Sequence, residues 1–123
     1  MTVDLATELA MLTETWSPRV VGRVNDQLVK VARLHGEFAW HDHANEDELF
    51  LVISGELEIR FEDRPSVILR AGQFAVVPRG VRHNPIAREP VEIVLIEPAT
   101  TAHTGDVVVP GLTRSLDEQL ARD

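Results

Sequence analysis

Cysteine is absent from the 123-residue chain, which removes disulfides, thiolate nucleophiles and cysteine-ligated zinc from consideration. A metal held by this chain must sit on nitrogen and oxygen. No stretch approaches the ~20 continuous apolar residues that a membrane-spanning helix requires, so no membrane partner is expected. Positive charge is scarce too: 12 Lys and Arg against 20 Asp and Glu leave a net charge of −8 and a pI near 5.0. A surface that acidic repels phosphate backbones, and no helix-turn-helix pattern accompanies it, which argues against nucleic acid as a partner. The opening residues MTVDLATEL carry acids where a secretory signal would carry positive charge, and a cytoplasmic location is expected. Internal repeats and low-complexity segments are missing as well. A chain of this length has room for one core that buries about 60–70% of the unfolded surface, so residues 1–123 are expected to form a single domain with its core over about 20–97.

The few basic residues are unevenly placed. Residues 60–90 hold six arginines (Arg60, Arg64, Arg70, Arg79, Arg82, Arg88) against three acids, and the remainder holds six basic residues against seventeen acidic ones. Such a local excess suits a small anionic ligand, although arginines spread along hairpins are more often solvated. Only Arg79 and Arg82 are of interest, because they flank a histidine.

Periodicity divides the chain into three parts. Leu5, Leu9, Leu12 and Trp16 recur at helical spacing behind Asp4, a good N-cap, and Pro18 closes that segment. From Val20 to Glu97 short runs of Val, Ile, Leu and Phe alternate with Gly, Pro and Asp, the pattern of an all-β sandwich or barrel. Strands are expected near 20–25, 28–35, 38–42, 48–53, 56–61, 66–69, 74–77, 82–87 and 91–97. Ser54-Gly55 reads as a hairpin signal, and Asp63-Arg64-Pro65, Ala71-Gly72, Pro78-Arg79-Gly80 and Glu89-Pro90 read as turns. With no helices between the strands, a closed antiparallel sheet is the economical arrangement. Beyond Pro98, Val107–Val109 reads as one more strand. Leu112, Leu116 and Leu120, with Ser115 and Glu118 spaced as a capping box, read as a terminal helix.

The chemistry concentrates in two segments. In Trp40-His41-Asp42-His43, alternate residues of a strand share one face, so both histidines can reach one ion. Glu48 shares a face with Phe50 and Val52, and a carboxylate aimed into a barrel is costly unless a metal or a cation compensates it. Glu46 is the rival ligand but falls in the turn. In Pro78-Arg79-Gly80-Val81-Arg82-His83 a turn ends just before a histidine that enters the same barrel mouth. Three imidazoles and one carboxylate suit a divalent transition metal (Mn, Fe, Co, Ni, Cu or Zn) and leave two positions open in an octahedral ion. Trp40 is assigned to packing, Phe50 and Phe74 to barrel lining, and His35 and His103 to the surface or loops. Gln73 and Asn84 could orient the ligand histidines.

These segments resemble the paired motifs of the cupin superfamily. Gly36, His41, His43, Glu48 and Gly55 match the first, and Gly72, Pro78, Gly80 and His83 the second. Four residues separate Gly36 from His41 where the family more often has five, and Ala87 stands where the second motif closes on Asn; neither departure removes a ligand. The resemblance implies an antiparallel β-barrel or jelly roll with short terminal helices and a metal on His41, His43, Glu48 and His83. The whole chain is similar to small single-domain bacterial cupins often called mannose-6-phosphate isomerase-like, a label that rests on fold more than on chemistry. The expected function is that of a metal-dependent enzyme on a small polar molecule, an isomerase or a dioxygenase, with a non-catalytic metabolite-binding module as the alternative. No catalytic base is evident; Glu97 qualifies only if its side chain points inward. A homodimer is expected, because short antiparallel barrels leave strand edges that pairing covers.

Overall fold

The computed structural model describes residues 2–105 and 108–120. In chain order the elements are α1 (Leu5–Ala10), β1 (Arg19–Val24), β2 (Gln27–Glu37), β3 (Glu48–Ser54), β4 (Glu56–Phe61), β5 (Val67–Arg70), β6 (Phe74–Val77), β7 (His83–Pro98) and α2 (Leu116–Leu120). All strand pairings among them are antiparallel. The organising element is β7, which pairs with β2 along nearly its whole length, from Gln27↔Pro98 to Glu37↔Ile86. Its second half also pairs with β3, from Leu49↔Ile96 to Ser54↔Glu92. Its first half pairs with β4, from Phe61↔His83 to Glu58↔Ile86. The long pair β2–β7 thus runs through two facing sheets, one carrying β1, β3 and β6 and the other carrying β4 and β5.

Alternation along these strands builds the interior. Ala32 and Leu34 of β2, Phe50 and Val52 of β3, Leu57 and Ile59 of β4, and Val91, Ile93 and Leu95 of β7 form one buried cluster between the sheets. Burial of each such large side chain contributes about 1.5–3 kcal/mol. The opposite face of the β1–β2–β7 sheet is capped by Leu9 and Leu12, which pack on Val21, Val31 and Val94. Asp4 caps α1 by accepting from the Thr7 amide at 3.0 Å, as its position ahead of the leucines predicts. In the last segment the Ser115 hydroxyl accepts from the Glu118 amide at 3.1 Å while the Glu118 carboxylate accepts from the Ser115 amide at 2.9 Å, a complete capping box.

Several expectations are corrected. The helix ends at Ala10 rather than at Pro18; Leu12 and Trp16 are buried, but beyond it. Residues 38–42 form no strand, only an isolated bridge from His41 to His83. The expected strands 82–87 and 91–97 are one continuous element through Glu89-Pro90. Ser54-Gly55 makes no hairpin, since β3 and β4 pair with β7 and not with each other. Gly55 instead carries the chain from one sheet to the other at φ +89°, where a Cβ would stand 2.8 Å from the Pro90 carbonyl oxygen and any other residue would be strained. The antiparallel barrel itself is as expected, and among the described residues β1, β5 and β6 each pair with one neighbouring strand. Val107 lies outside the described residues, and Val108 and Val109 belong to no strand. Phe74 is 61% exposed and lines no interior.

Candidate metal centre

Backbone hydrogen bonds join the two motif segments before any side chain is considered. The His41 amide donates to the His83 carbonyl at 3.0 Å and the His83 amide donates back at 2.9 Å. The Gly80 amide donates to the His43 carbonyl at 2.8 Å, and the Arg79 amide donates to the Asp47 carboxylate at 2.9 Å. The His-x-His segment belongs to no strand, yet the donor atoms of His41 and His43 still converge. Glu48 enters from the start of β3, beside Phe50 and Val52.

His41, His43, Glu48 and His83 are all buried, and one nitrogen or oxygen from each lies within 4.8 Å of the others. Glu48 Oε1 is 3.6 Å from His43 Nε2 and 3.4 Å from His83 Nε2, which is long for a hydrogen bond. His41 Nδ1 lies 2.8 Å from the Ala39 carbonyl and His83 Nδ1 lies 2.9 Å from the Val81 carbonyl. A carbonyl only accepts, so both Nδ1 atoms carry the proton and both Nε2 atoms offer lone pairs inward. Each donor sits two residues after its carbonyl, so the chain itself orients these ligands. Gln73 and Asn84 do not, for Gln73 accepts from the Arg70 amide and Asn84 donates to Glu37.

The electrostatics of the cluster are set by burial and by the interactions of its own members. Burial, followed by the neighbouring His83, lowers the pKa of His41 to about 4. Burial also opposes protonation of His43, but the Glu48 carboxylate outweighs it and the net shift is upward. Burial alone would raise the Glu48 pKa; His43 and His83 instead hold it well below the usual carboxylate range. Both ring nitrogens of His43, Glu48 Oε1 and His83 Nε2 are buried without a hydrogen-bond partner. At about 1–3 kcal/mol for each such atom, four of them would consume much of the about 5–15 kcal/mol that stabilises a domain. A divalent ion among them would satisfy one ring nitrogen of His43 together with Glu48 Oε1 and His83 Nε2, three of the four atoms, and the nitrogen and oxygen donors fit a transition metal.

Beside this cluster lies a small cavity of about 30 Å³ whose polar walls are His41, Glu48 and His103 and whose apolar walls include Trp16, Phe38, Phe50 and Ile93. Trp16 closes it at φ 56°, an unusual conformation for a bulky residue. It is held there by its indole N–H donating to the His35 carbonyl at 2.8 Å and by stacking on Phe38 at 4.7 Å. His35 itself is exposed, as expected. His103 is the functional candidate that sequence reasoning passed over: it lies in a loop, but that loop folds back over the barrel mouth. Its pKa is lowered to about 4, chiefly by burial.

Glu97 points inward and is 3% exposed, 3.3 Å from the buried Lys30. Burial and then the charge of Glu48 raise its pKa to about 8, against the opposing pull of Lys30. Lys30 also donates to Gln119 of α2, which seats the terminal helix on the barrel. Arg79 and Arg82 point away from the centre, paired with Asp47 and Glu62, so the local basic excess builds no anion site there. Glu46 accepts from the Thr100 hydroxyl at 3.0 Å and is not among the four convergent residues. Among the described residues no helix is long and apolar enough to cross a membrane.

Comparison with known proteins agrees with this geometry. The cupin domain family matches residues 28–97. The uncharacterized protein YdbB of Bacillus subtilis strain 168 is 41% identical over 63 residues, 51% of this chain and 56% of that protein, so the match spans little more than half of that relative's length. A crystal structure of a cupin-2 domain containing protein from Shewanella frigidimarina superposes with a TM-score of 0.75 at 41% identity, covering 78% of this chain and 93% of that one. The protein NMB1881 from Neisseria meningitidis superposes with a TM-score of 0.74 at 32% identity, covering 80% of this chain and 99% of that one.

Proposed function

The chain belongs to the cupin family, and we propose that within it the chain is a metal-dependent enzyme that holds one divalent transition metal on His41, His43, Glu48 and His83. The observation that carries this reading is the inward convergence of four buried donor groups with unsatisfied atoms. Four protein ligands leave two positions of an octahedral ion for substrate or dioxygen. When bound, the metal would supply Lewis-acid or oxygen-activating chemistry.

The cavity wall supports oxygen chemistry on a small, largely apolar molecule over isomerisation of a sugar. A site that recognises a sugar needs several polar groups to pair with its hydroxyls. Here the wall beyond the ligands is Trp16, Phe38, Phe50 and other apolar side chains, with His103 as the polar exception. The absence of arginine from that wall also weakens the expectation of an anionic ligand. The experiment is a survey of turnover by iron-loaded protein against diketones, phenols, thiols and sugar phosphates, with oxygen consumption followed directly. Oxygen uptake with a member of the first three classes is expected. Turnover of a sugar phosphate without oxygen would replace the dioxygenase reading with an isomerase.

The size of the cavity favours one further reading, a non-catalytic metal-dependent binding module. A volume of about 30 Å³ exceeds the about 10–15 Å³ that one water needs, which suits the capture of a small molecule. Recovery of a tightly bound metabolite unchanged, with no turnover in any panel, would favour this module. We also propose that the chain forms a homodimer in the cytoplasm, with the open edge of β6 as the interface.

A further inference from the structure

The loop after β7 is fastened to the metal-ligand loop at several points. Thr100 donates to Glu46, three residues after His43. Gly105 lies against the backbone between the two ligand histidines, so close that a Cβ there would fall 1.9 Å from the Asp42 carbonyl oxygen. Between these ties stands His103, its ring 5.1 Å from that of Phe38, which in turn lies 5.4 Å from His41. His103 Nδ1 accepts the Arg114 amide at 2.9 Å, and a nitrogen that accepts from an amide carries no proton, so in the neutral ring the proton resides on Nε2. The indole N–H of Trp16 is already committed to His35. His103 is thus the one polar side chain of the cavity wall, beyond the two ligands, with a ring N–H that no described residue accepts.

Resting on the metal reading above, we propose that His103 donates a hydrogen bond from Nε2 to the small molecule that occupies the open positions of the metal. The polar residues of the cavity wall are His41, Glu48 and His103, so a molecule held there beside the metal ligands meets them. A donor held by a backbone amide, at a place where the remaining wall is apolar, favours an occupant with a negatively polarised atom.

The test is azide binding to the cobalt(II)-loaded chain, followed by visible absorption. Wild type, His103→Phe, His103→Leu and His103→Gln are each expected to bind one cobalt, because His103 is not among the four convergent donors. The azide dissociation constant should rise about tenfold in the Phe and Leu variants, the effect of losing one hydrogen bond to a charged partner. His103→Gln, whose amide N–H reaches the position of Nε2, should stay within about threefold of wild type. Equal azide affinity in wild type and both apolar variants would overturn the proposal, as would a Gln variant no better than Phe. A wild-type chain that takes up no cobalt would overturn the metal reading itself, and this proposal with it.

Discussion

His83 Nε2 lies 3.4 Å from Glu48 Oε1, with both side chains buried and neither atom in a hydrogen bond. Two polar atoms placed so close, yet left unpaired, are in the relation expected of two ligands to one ion. Mass spectrometry of purified protein should therefore find about one transition metal per chain. His41→Ala and His83→Ala should each lose it, and Glu48→Gln should bind at least about tenfold more weakly, since even outer partners of metal ligands are worth about 10–100-fold. Metal-free wild-type protein that cannot be reloaded would refute the site.

Metal should also stabilise the fold, because the unfolded chain does not bring the four donors together. At a free metal concentration of about 100 times Kd the gain is about 2.7 kcal/mol, which for a domain of this size raises Tm by about 10 °C. Differential scanning calorimetry with and without a chelator reads this directly. An unchanged Tm in the His41→Ala variant is the matching control.

Legibility of the molecule from its sequence followed the range of the forces involved. Asp4 and the Ser115–Glu118 box act within one helical turn, and the structure has both. The alternation of Glu48, Phe50 and Val52 likewise survives in β3. His41 and His43 converge as expected, though from a loop and not from a strand. The errors arose where distant partners decide. Glu89-Pro90 carries turn residues, but β2 lies alongside β7 on both sides of it, from Gly36↔Ala87 to Leu34↔Val91. Ser54-Gly55 has hairpin composition, but β7 takes both of the strands it joins. The place of His103 on the cavity wall was not legible because nothing near it in the sequence resembles a site, and the sole local hint was Gly105, whose need for glycine becomes visible only against Asp42.

That contact gives a prediction of its own. In Gly105→Ala the added methyl would meet the Asp42 carbonyl oxygen, and φ of +61° strains any L-residue there. The loop must move, and His103 moves with it. A loss of about 1–3 kcal/mol in stability is expected, together with an azide affinity as weak as that of His103→Phe. Wild-type behaviour in both measurements would show that the loop is not fixed by this contact.

The proposed dimer has a specific address. Strand β6 pairs only with β3 among the described residues, and Phe74 and Val76 on it are 61% and 49% exposed. An open edge that carries exposed apolar side chains invites pairing with a second chain. Light scattering at micromolar concentration should report a dimer for wild type and a monomer for Phe74→Glu, with the metal content of both unchanged. A monomeric wild type would remove the homodimer from the description.

The pH dependence of the metal-free chain follows from Glu97 and the histidines. Glu97 has a folded pKa of about 8 against an ordinary value of 4.5, so the folded state keeps a proton that the unfolded chain has released. Its contribution is complete below about pH 4.5 and is lost as pH rises through about 8. His43, whose pKa is also raised, acts in the same direction on the alkaline side. His41 and His103, lowered from 6.5 to about 4, act oppositely: their contribution is complete above pH 6.5 and is lost as pH falls toward 4. Stability should therefore peak near pH 6.5 and decline on both sides. One group limits the slope to about 1.4 kcal/mol per pH unit, so between pH 6.5 and 8 the Glu97 share of the decline is at most about 2 kcal/mol. Urea titrations in chelator across this range should find the decline in wild type and a flatter limb in Glu97→Gln, whose side chain is neutral at every pH. An equal slope in both proteins would mean that Lys30 keeps Glu97 ionised throughout, and the alkaline limb would then belong to His43.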